Sequence, residues 1–346
     1  MGGADWRYVA YLERLSAPSP APFTPGEGSI TGRVRDLRDN YHRIDSLSQG
    51  DILELSVDTF QDGVERGELQ LWRNDETLAR RLPAGEGLET AAIAPVGSSG
   101  SFTLLVDAQR LTGNRDRFKI SASKRTDVPD LGTVGEEGTT ASPRTTSGTE
   151  IDYYRLTLPA GRVLEVAQKN KEKRTASVQV VSAAGEVLAR ANQLDDLRTD
   201  GDRLYYYART KRSLMVKVLS PAGAFLRDLE LTVRTITPTD LGKTRPGETV
   251  TGDLTGKLST GESGFHRFEL ATKAEVDVVA TPSKDAGLEL ILYDDRFDVL
   301  GRDRPSSGDQ STTGETLEAG AYIVRGAATK TLSKPAYGVR LEIRKP

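Results

Sequence analysis

One pattern occurs three times in this sequence, as Asn40-Tyr41-His42-Arg43-Ile44, Asp152-Tyr153-Tyr154-Arg155-Leu156 and Gly264-Phe265-His266-Arg267-Phe268. Its leading aromatic residues, Tyr41, Tyr153 and Phe265, are 112 residues apart in both steps, and each is followed two positions later by arginine. The stretches Gly50–Leu55, Gly161–Val166 and Lys273–Val278 follow the three copies in the same order. Because self-similarity at a fixed period is the signature of a repeated structural unit, the sequence predicts one unit copied three times.

Each copy is rich in strand signals. Alternating runs include Ile52–Val57, Val163–Ala167 and Val276–Ala280, and turn residues interrupt the chain at intervals of about 8–12 residues. We therefore predict an all-β protein of three tandem jelly-roll-like antiparallel β-sandwich domains, with about eight strands each and a short N-terminal helix. The predicted divisions are 1–22 for the helix and its proline-rich linker, then 23–126, 127–236 and 237–346 for the sandwiches.

The N-terminus alone shows a helical period. Tyr8, Tyr11, Leu12 and Leu15 fall on one face of a short helix, and Asp5 is placed to cap it. Since so short a helix is marginal alone, it must dock either on its own first domain or on a partner, and both alternatives stay open. If a partner is involved, Trp6, Tyr8 and Tyr11 are candidate contacts to a larger complex.

The composition excludes several classes of protein. The 47 Lys and Arg nearly balance 50 Asp and Glu, which argues against a nucleic-acid binder and against electrostatic attachment to an anionic membrane. The chain has no cysteine, so disulfides and thiolate chemistry are absent, and no apolar run is long enough to span a bilayer. Met1-Gly2-Gly3 lacks the features of a signal peptide. We expect an extracellular or periplasmic protein whose signal has been removed, with a cytoplasmic location as the alternative.

The two histidines, His42 and His266, occupy equivalent positions, and the remaining copy has Tyr154 there. An inward-facing, half-polar side chain in the sandwich interior explains this exchange better than a metal ligand or a catalytic base does. The arginines of the pattern, Arg43, Arg155 and Arg267, are expected on the opposite face. There they can pair with neighbouring carboxylates, or alternatively contact an anionic partner.

Two basic patches in the middle copy are candidate partner-binding loops. They contain Lys169, Lys171, Lys173 and Arg174 in one loop, and Arg209, Lys211 and Arg212 in the other. If both loops lie at one end of the domain they form an anion-attracting tip. The adjacent Tyr205-Tyr206-Tyr207 run could then stack a sugar or a collagen-like polymer, although alternation leaves at most part of it available.

No cofactor is predicted, but calcium stays open as an alternative because acidic residues cluster in two places. These are Asp195, Asp196, Asp200 and Asp202 in the middle copy and Asp294, Asp295 and Asp298 in the last. Neither spacing matches a defined calcium loop, and Asp with Gly is also ordinary hairpin chemistry.

Two further stretches resemble the bacterial pre-peptidase C-terminal domain family and the related collagen-binding modules of secreted bacterial collagenases. The first is Glu150–Gly161, an acidic-aromatic-aromatic strand with a turn glycine, and the second is Leu317–Val324, a Leu-x-x-Gly-x-Tyr strand. The resemblance implies jelly-roll-like sandwiches with binding roles. The acidic opening that supplies calcium ligands in some members is replaced here by Gly135–Gly138 and Thr237–Asp240.

The sequence favours a function without catalysis. We predict an accessory binding or scaffolding protein that engages a protein or polymer partner, because tandem modules gain affinity from repeated weak contacts. The alternative is a glycan-binding module array, which would show exposed aromatic residues along a shallow face.

Overall fold

The computed structural model describes residues 22–23, 29–33, 41–49, 51–59, 64–73, 78–84, 90–95, 99–111, 117–125, 128–143, 151–169, 176–183, 185–190, 199–200, 203–219, 229–253, 263–282, 288–303, 311–328 and 337–344. The predicted N-terminal helix and nearly all of its linker, residues 1–21, lie outside the described residues.

The chain divides into two compact units. The first contains Met1–Asp127 together with Ala183–Gly185, and the second contains Val128–Ser182 and Glu186–Pro346. The strands of the first unit are β1 (Pro22–Phe23), β2 (Ser29–Arg33), β3 (Tyr41–Leu47), β4 (Ile52–Thr59), β5 (Val64–Arg73), β6 (Leu78–Ala84), β7 (Thr90–Pro95), β8 (Gly100–Leu111) and β9 (Arg117–Arg125). These nine strands are referred to below as the first sandwich.

The second unit contains two sets of strands. The second sandwich comprises β10 (Asp130–Thr133), β11 (Thr139–Ala141), β12 (Ile151–Leu158), β13 (Arg162–Lys169), β14 (Ser177–Ser182), β15 (Val187–Arg190), β16 (Thr199–Asp200), β17 (Arg203–Ala208), β18 (Arg212–Leu219) and β19 (Glu230–Ile236). The third sandwich comprises β20 (Thr239–Thr244), β21 (Thr249–Asp253), β22 (Ser263–Leu270), β23 (Ala274–Pro282), β24 (Leu288–Tyr293), β25 (Val299–Asp303), β26 (Ser311–Leu317), β27 (Gly320–Ala328) and β28 (Tyr337–Arg344).

One strand order recurs in all three sandwiches. The first sheets run β1-β3-β8-β5-β6, β10-β12-β18-β14-β15 and β20-β22-β27-β24-β25. The second sheets run β2-β9-β4-β7, β11-β19-β13-β17-β16 and β21-β28-β23-β26, so only the short β16 has no counterpart among the described strands. Each repeated aromatic-x-arginine pattern lies on the second strand of a first sheet, β3, β12 or β22, and this position reflects the repeat seen in the sequence.

A short parallel strand opens each first sheet, pairing β1 with β3, β10 with β12, and β20 with β22. In the second unit this strand carries an Asp-Leu-Gly motif. The glycine N–H donates to the aspartate Oδ1 two residues earlier, over 2.8 Å from Gly132 to Asp130 and 2.9 Å from Gly242 to Asp240. Both glycines have a positive φ, so a side chain there would be strained and the motif needs glycine.

Each sandwich of the second unit has a core of its own between its two sheets. In the second sandwich Tyr154, Leu156 and Val216 of the first sheet meet Leu164 and Leu231 of the other. The inward positions alternate along each strand, as the sequence periodicity predicts.

The third sandwich repeats this arrangement. There Phe268 and Val324 of the first sheet meet Val276, Leu341 and Ile343 of the other. In the first sandwich, buried side chains likewise come from both sheets, among them Ile44 and Leu104 on one and Leu53 and Leu55 on the other.

The prediction of an all-β protein built of antiparallel sandwich sheets is confirmed, and the described residues contain no helix. The first unit ends its main stretch at Asp127, and the predicted boundary at 126/127 stays a prediction. The predicted boundary at 236/237 falls inside the second unit, where two sandwiches with separate cores are packed together. The arrangement as three tandem domains stays a prediction.

Candidate functional site

The second and third sandwiches meet through a buried interface. It lies between the outer face of the β11-β19-β13-β17-β16 sheet and the outer face of the β20-β22-β27-β24-β25 sheet. We call its buried apolar residues the interface cluster: Val163, Tyr205, Tyr207, Phe265, Ile291, Tyr293, Phe297 and Ile323, with Ile236 packed at the margin. An outer face this apolar would otherwise be exposed to water, so burial stabilises the contact.

Aromatic rings form the centre of the interface cluster. Tyr205 contacts Phe265 with ring centroids 5.3 Å apart, and Tyr207 lies 6.4 Å from Phe297. Phe297 is also stacked on Tyr293 at 4.2 Å with the planes 10° apart. These separations suit offset or tilted aromatic packing, which adds to the free energy gained from burial alone.

Phe297 has an unusual backbone. Its φ is +68°, in the left-handed region that side chains other than glycine rarely adopt, and it is the one non-glycine residue with positive φ among those the structure describes. The register places Gly185, with φ +80°, at the same position of the second sandwich. A fully buried phenylalanine at a glycine position indicates that its interface contacts outweigh the local strain.

The turn that carries Phe297 is held by Asp294. The Asp294 Oδ1 accepts the backbone N–H groups of Arg296 at 2.9 Å and Asp298 at 2.8 Å, and the Phe297 N–H donates to the Asp294 carbonyl. The neighbouring Asp295 accepts a 3.2 Å hydrogen bond from Arg209 of the second sandwich. The turn thereby places an aromatic ring inside the interface and an ion pair at its rim.

A buried arginine lies beside the aromatic cluster. The Arg325 guanidinium carbon is 4.5 Å from the centroid of the Tyr205 ring, and its Nε donates to Ser263 Oγ over 2.9 Å. Burial raises the pKa of the Tyr205 hydroxyl to about 12, so this tyrosine stays neutral next to the cation. The guanidinium over the ring adds a cation–π interaction in a site that is shielded from water.

Glu165 on β13 is a buried carboxylate on the same outer face. Its Oε1 accepts a 2.7 Å hydrogen bond from Arg234 and its Oε2 a 3.4 Å bond from Arg203. Both arginines remain partly exposed, so the carboxylate is compensated from two sides while the cations keep contact with water. Glu165 lies opposite Tyr205 in the register of β13 and β17, on the face that also carries Tyr207.

Replacing Glu165 with alanine is expected to lower the free energy of unfolding by about 2 kcal/mol, because two adjacent cations lose their shared carboxylate. This loss of free energy is at the low end of what breaking a buried ion pair costs, because both arginines remain in contact with solvent. Denaturant unfolding of the full chain measures it. The control is Glu136→Ala, whose partner Arg162 forms an exposed pair worth under about 1 kcal/mol. Equal losses in both variants would contradict the role given to Glu165.

The corresponding outer face of the third sandwich is charged. Positions matching Val163 and Glu165 are occupied there by Glu275 and Asp277, and Arg344 pairs with Asp277 at 2.5 Å. Arg340 pairs with Glu342 on the same face at 2.8 Å. Such a face does not offer the apolar surface that joins the second sandwich to the third.

The repeated pattern has different surroundings in each sandwich. Phe265 belongs to the interface cluster and Arg267 lies beside it, half-buried. Tyr153 is buried, with Lys217 Nζ 5.9 Å from its ring centroid, and Arg155 is half-buried. In the first sandwich Tyr41 is half-buried.

The Arg43 Nε donates to Asp45 Oδ1 over 2.8 Å, which raises the pKa of Arg43 and lowers the pKa of Asp45. For Arg43, then, the observed partner is a neighbouring carboxylate.

Of the two basic patches, the structure describes Lys169 in the first and Arg209, Lys211 and Arg212 in the second. Lys169 ends β13, whereas the turn carrying Arg209 follows Ala208, which pairs with Arg162 at the other end of β13. At about 3.3 Å per residue the two ends of this strand are about 23 Å apart. Lys171, Lys173 and Arg174 lie outside the described residues, as do Trp6, Tyr8 and Tyr11.

In the second patch, Arg209 pairs with Asp295, and Arg212 Nη1 donates to the Tyr206 hydroxyl over 3.0 Å. Lys211 is exposed beside them.

The Tyr205-Tyr206-Tyr207 run alternates as predicted, but none of its side chains is open. Tyr206 points into the core of the second sandwich, and Tyr205 and Tyr207 point into the interface cluster. The hypothesis that part of this run stacks a sugar or polymer is therefore wrong, because all three rings are buried.

The histidines lie inside the sandwiches. His266 is fully buried on the inner face of β22, two residues from Phe268 of the core, and burial lowers its pKa to about 4. His42 is buried at the matching position of β3. Both imidazoles therefore occupy the inward positions that the sequence predicts.

The acidic cluster of the third sandwich is explained by its turn, since Asp294 accepts backbone N–H groups and Asp295 pairs with Arg209. Within the described ranges, no group of three or more acidic or histidine side chains converges as a metal site would require. Asp195, Asp196 and Asp202 lie outside those ranges. Calcium binding stays an untested alternative.

Sequence reasoning missed Phe297, Tyr293, Arg325 and Glu165. One signal was available: aligning Val180–Arg190 with Leu292–Arg302 places Phe297 opposite Gly185 in a turn. An aromatic residue at a turn position that otherwise takes glycine indicates a special contact. No comparable signal existed for Arg325, because nothing in a strand pattern says which outer face is covered.

Comparisons with known proteins show no family for this chain. No family model matches the chain, and no curated protein matches it. Among solved structures, the pre-peptidase C-terminal domain of a collagenase from Bacillus anthracis is 12% identical with a TM-score of 0.24, covering 32% of this chain and 99% of that domain.

The CUB1-EGF-CUB2 domains of human MASP-1/3 are 8% identical with a TM-score of 0.22, covering 60% of this chain and 99% of that one. Those of rat MASP-1 are 10% identical with a TM-score of 0.20, covering 62% and 99%. Among the described residues, no helix is long and apolar enough to cross a membrane.

Proposed function

We propose that this chain is a non-catalytic accessory protein that binds or scaffolds a protein or polymer partner. The observation that carries the proposal is the buried interface cluster, which joins two sandwiches through their outer faces. Two modules fixed in one orientation present their exposed surfaces together. A partner that contacts both modules therefore binds without the entropy loss of fixing one module relative to the other.

The exposed side of the β17–β18 turn is the proposed contact. This turn carries Lys211, which is exposed, next to Arg209 and Arg212, which are held by Asp295 and Tyr206. Cations fixed at the rim of a rigid body favour an anionic partner surface, chiefly by speeding association. The burial of both histidines within the sandwich interiors supports a function without histidine acid–base catalysis.

The experiment compares partner capture by the wild-type chain and by Lys211→Glu. Extract of the source organism is passed over each immobilised protein, the captured partner is purified, and its association rate is measured at two salt concentrations. Lys211→Glu is expected to slow association several-fold and to weaken its salt dependence. The control Lys273→Glu makes the same charge change on the third sandwich, outside the turn. Equal rates for wild type and Lys211→Glu would contradict the proposed contact.

We further propose that the protein works outside the cytoplasm, as the resemblance of Glu150–Gly161 and Leu317–Val324 to modules of secreted bacterial proteins implies. Fractionation of the source organism tests this location. Recovery of the protein with cytoplasmic markers alone would contradict it.

A further inference from the structure

One arginine nitrogen at the rim of the interface cluster has no acceptor. Arg267 lies on β22 two residues after Phe265, so its side chain leaves the strand on the same outer face as the cluster. Its Nε is buried, and among the described residues no atom accepts a hydrogen bond from it. A buried donor on a charged group is costly without a partner, and native proteins keep few of them. This nitrogen therefore marks a position for a bound acceptor.

Charged groups of both sandwiches meet beside Arg267. Burial raises the pKa of the Tyr207 hydroxyl, and Arg267 opposes this rise more than Arg209 does. Asp295 and Asp240 act in the opposite direction to the two arginines. All four charges therefore lie close to Tyr207. Arg209 belongs to the second sandwich and the other three belong to the third.

Both carboxylates of this rim already have other partners. Asp295 accepts the 3.2 Å hydrogen bond from Arg209, and Asp240 Oδ1 accepts the Gly242 N–H over 2.9 Å. Lys211 is exposed on the same turn as Arg209, so three cations face two carboxylates. The rim therefore keeps one net positive charge, which a single bound carboxylate would neutralise.

The chemistry of the rim favours an acidic side chain of a protein as its ligand. A guanidinium holds a planar carboxylate through parallel N–H groups, and Nε can be one of them. The rings of Tyr205, Tyr206 and Tyr207 are buried, so none of these three is open to stack on a sugar. One net positive charge offers little attraction to a polyanion.

We propose that Arg209, Lys211 and Arg267 form a rim site that binds a side-chain carboxylate of a partner protein, with Arg267 Nε as a donor to it. The inference rests on the proposed function, because it deepens the contact assigned to the β17–β18 turn. Since Arg209 and Arg267 belong to different sandwiches, the interface cluster holds the two halves of the site together.

The test follows the side-chain Nε–H signals of the full chain labelled with ¹⁵N-arginine. The probe is N-acetylglutamate amide, which carries one side-chain carboxylate and replaces chloride at constant ionic strength. The Arg267 signal, identified by its loss in Arg267→Lys, is expected to shift in a saturable way. The control is Arg302, whose Nε already donates to Glu289 over 2.7 Å and whose signal is expected to stay unchanged.

An Arg267 signal that moves no more than the Arg302 signal would overturn the rim site. A larger response to glucuronate or to inorganic sulfate at the same concentration would also overturn it, by assigning the position to a sugar acid or a sulfate. The titration needs no partner, so it fails independently of the proposed function. If Lys211→Glu slows association with the captured partner while the Arg267 signal stays still, the proposed function stands and the rim site is wrong.

Discussion

Replacing Phe297 with alanine is expected to destabilise the interface between the second and third sandwiches by about 3–5 kcal/mol. The ring is fully buried and contacts Tyr293, Tyr207 and Phe265, so its loss leaves a cavity at the centre of the interface cluster. Alanine also keeps a Cβ in the left-handed conformation, so no backbone strain is relieved in return.

The Phe297→Gly variant is expected to be about 1 kcal/mol more stable than Phe297→Ala, although it removes one more carbon. The reason is that glycine adopts the left-handed backbone conformation without strain. Hydrogen exchange of β17 and β24 amides in the full chain measures both variants. The control Val299→Ala, an exposed residue two positions away, is expected to change stability by less than about 0.5 kcal/mol. An alanine variant as stable as wild type would show that the ring does not hold the interface.

Stability of the third sandwich is expected to fall as the pH is lowered from about 6.5 to 4, by on the order of 3 kcal/mol. His266 has a pKa of about 4 in the folded protein because of its burial, against an ordinary value of 6.5. In this window the unfolded chain binds a proton that the folded chain does not, so acid favours unfolding. The full stability is present above pH 6.5.

His266→Phe is expected to remove this pH dependence and to raise stability at pH 7 by about 1–2 kcal/mol. Among the described residues neither ring nitrogen of His266 has a hydrogen-bond partner, so phenylalanine fills the site without a buried polar cost. Unfolding of both proteins in denaturant between pH 4 and 8 measures the difference. Identical pH profiles for the two proteins would mean that His266 does not titrate as its burial implies.

Much of the fold follows from the sequence because its signals are local and repeated. Alternation over Val163–Ala167 and Val276–Ala280 predicts strands with one buried face, and the 112-residue spacing of Tyr41, Tyr153 and Phe265 predicts equivalent strands. The inward position of His42 and His266 follows from the same alternation.

The interface between sandwiches could not be predicted, because periodicity reports which side chains share a face and not what covers that face. The tyrosine run shows this limit: alternation correctly separates Tyr206 from Tyr205 and Tyr207, but the second pair is covered by another sandwich and not exposed to ligand. The relative positions of Lys169 and Arg209 could not be predicted for a related reason. Only the pairing of Arg162 with Ala208 shows that their ends of β13 are opposite.

The central claim is that the second and third sandwiches form one rigid body through their buried outer faces. Because the chain has no cysteine, spin labels can be attached uniquely to Lys169→Cys and Lys273→Cys, two exposed positions on different sandwiches. Pulsed electron–electron double resonance then measures the distance between the two spin labels. A single narrow distance distribution that broadens when Phe297→Ala is added is the predicted result. A broad distribution in the otherwise native chain would contradict the claim.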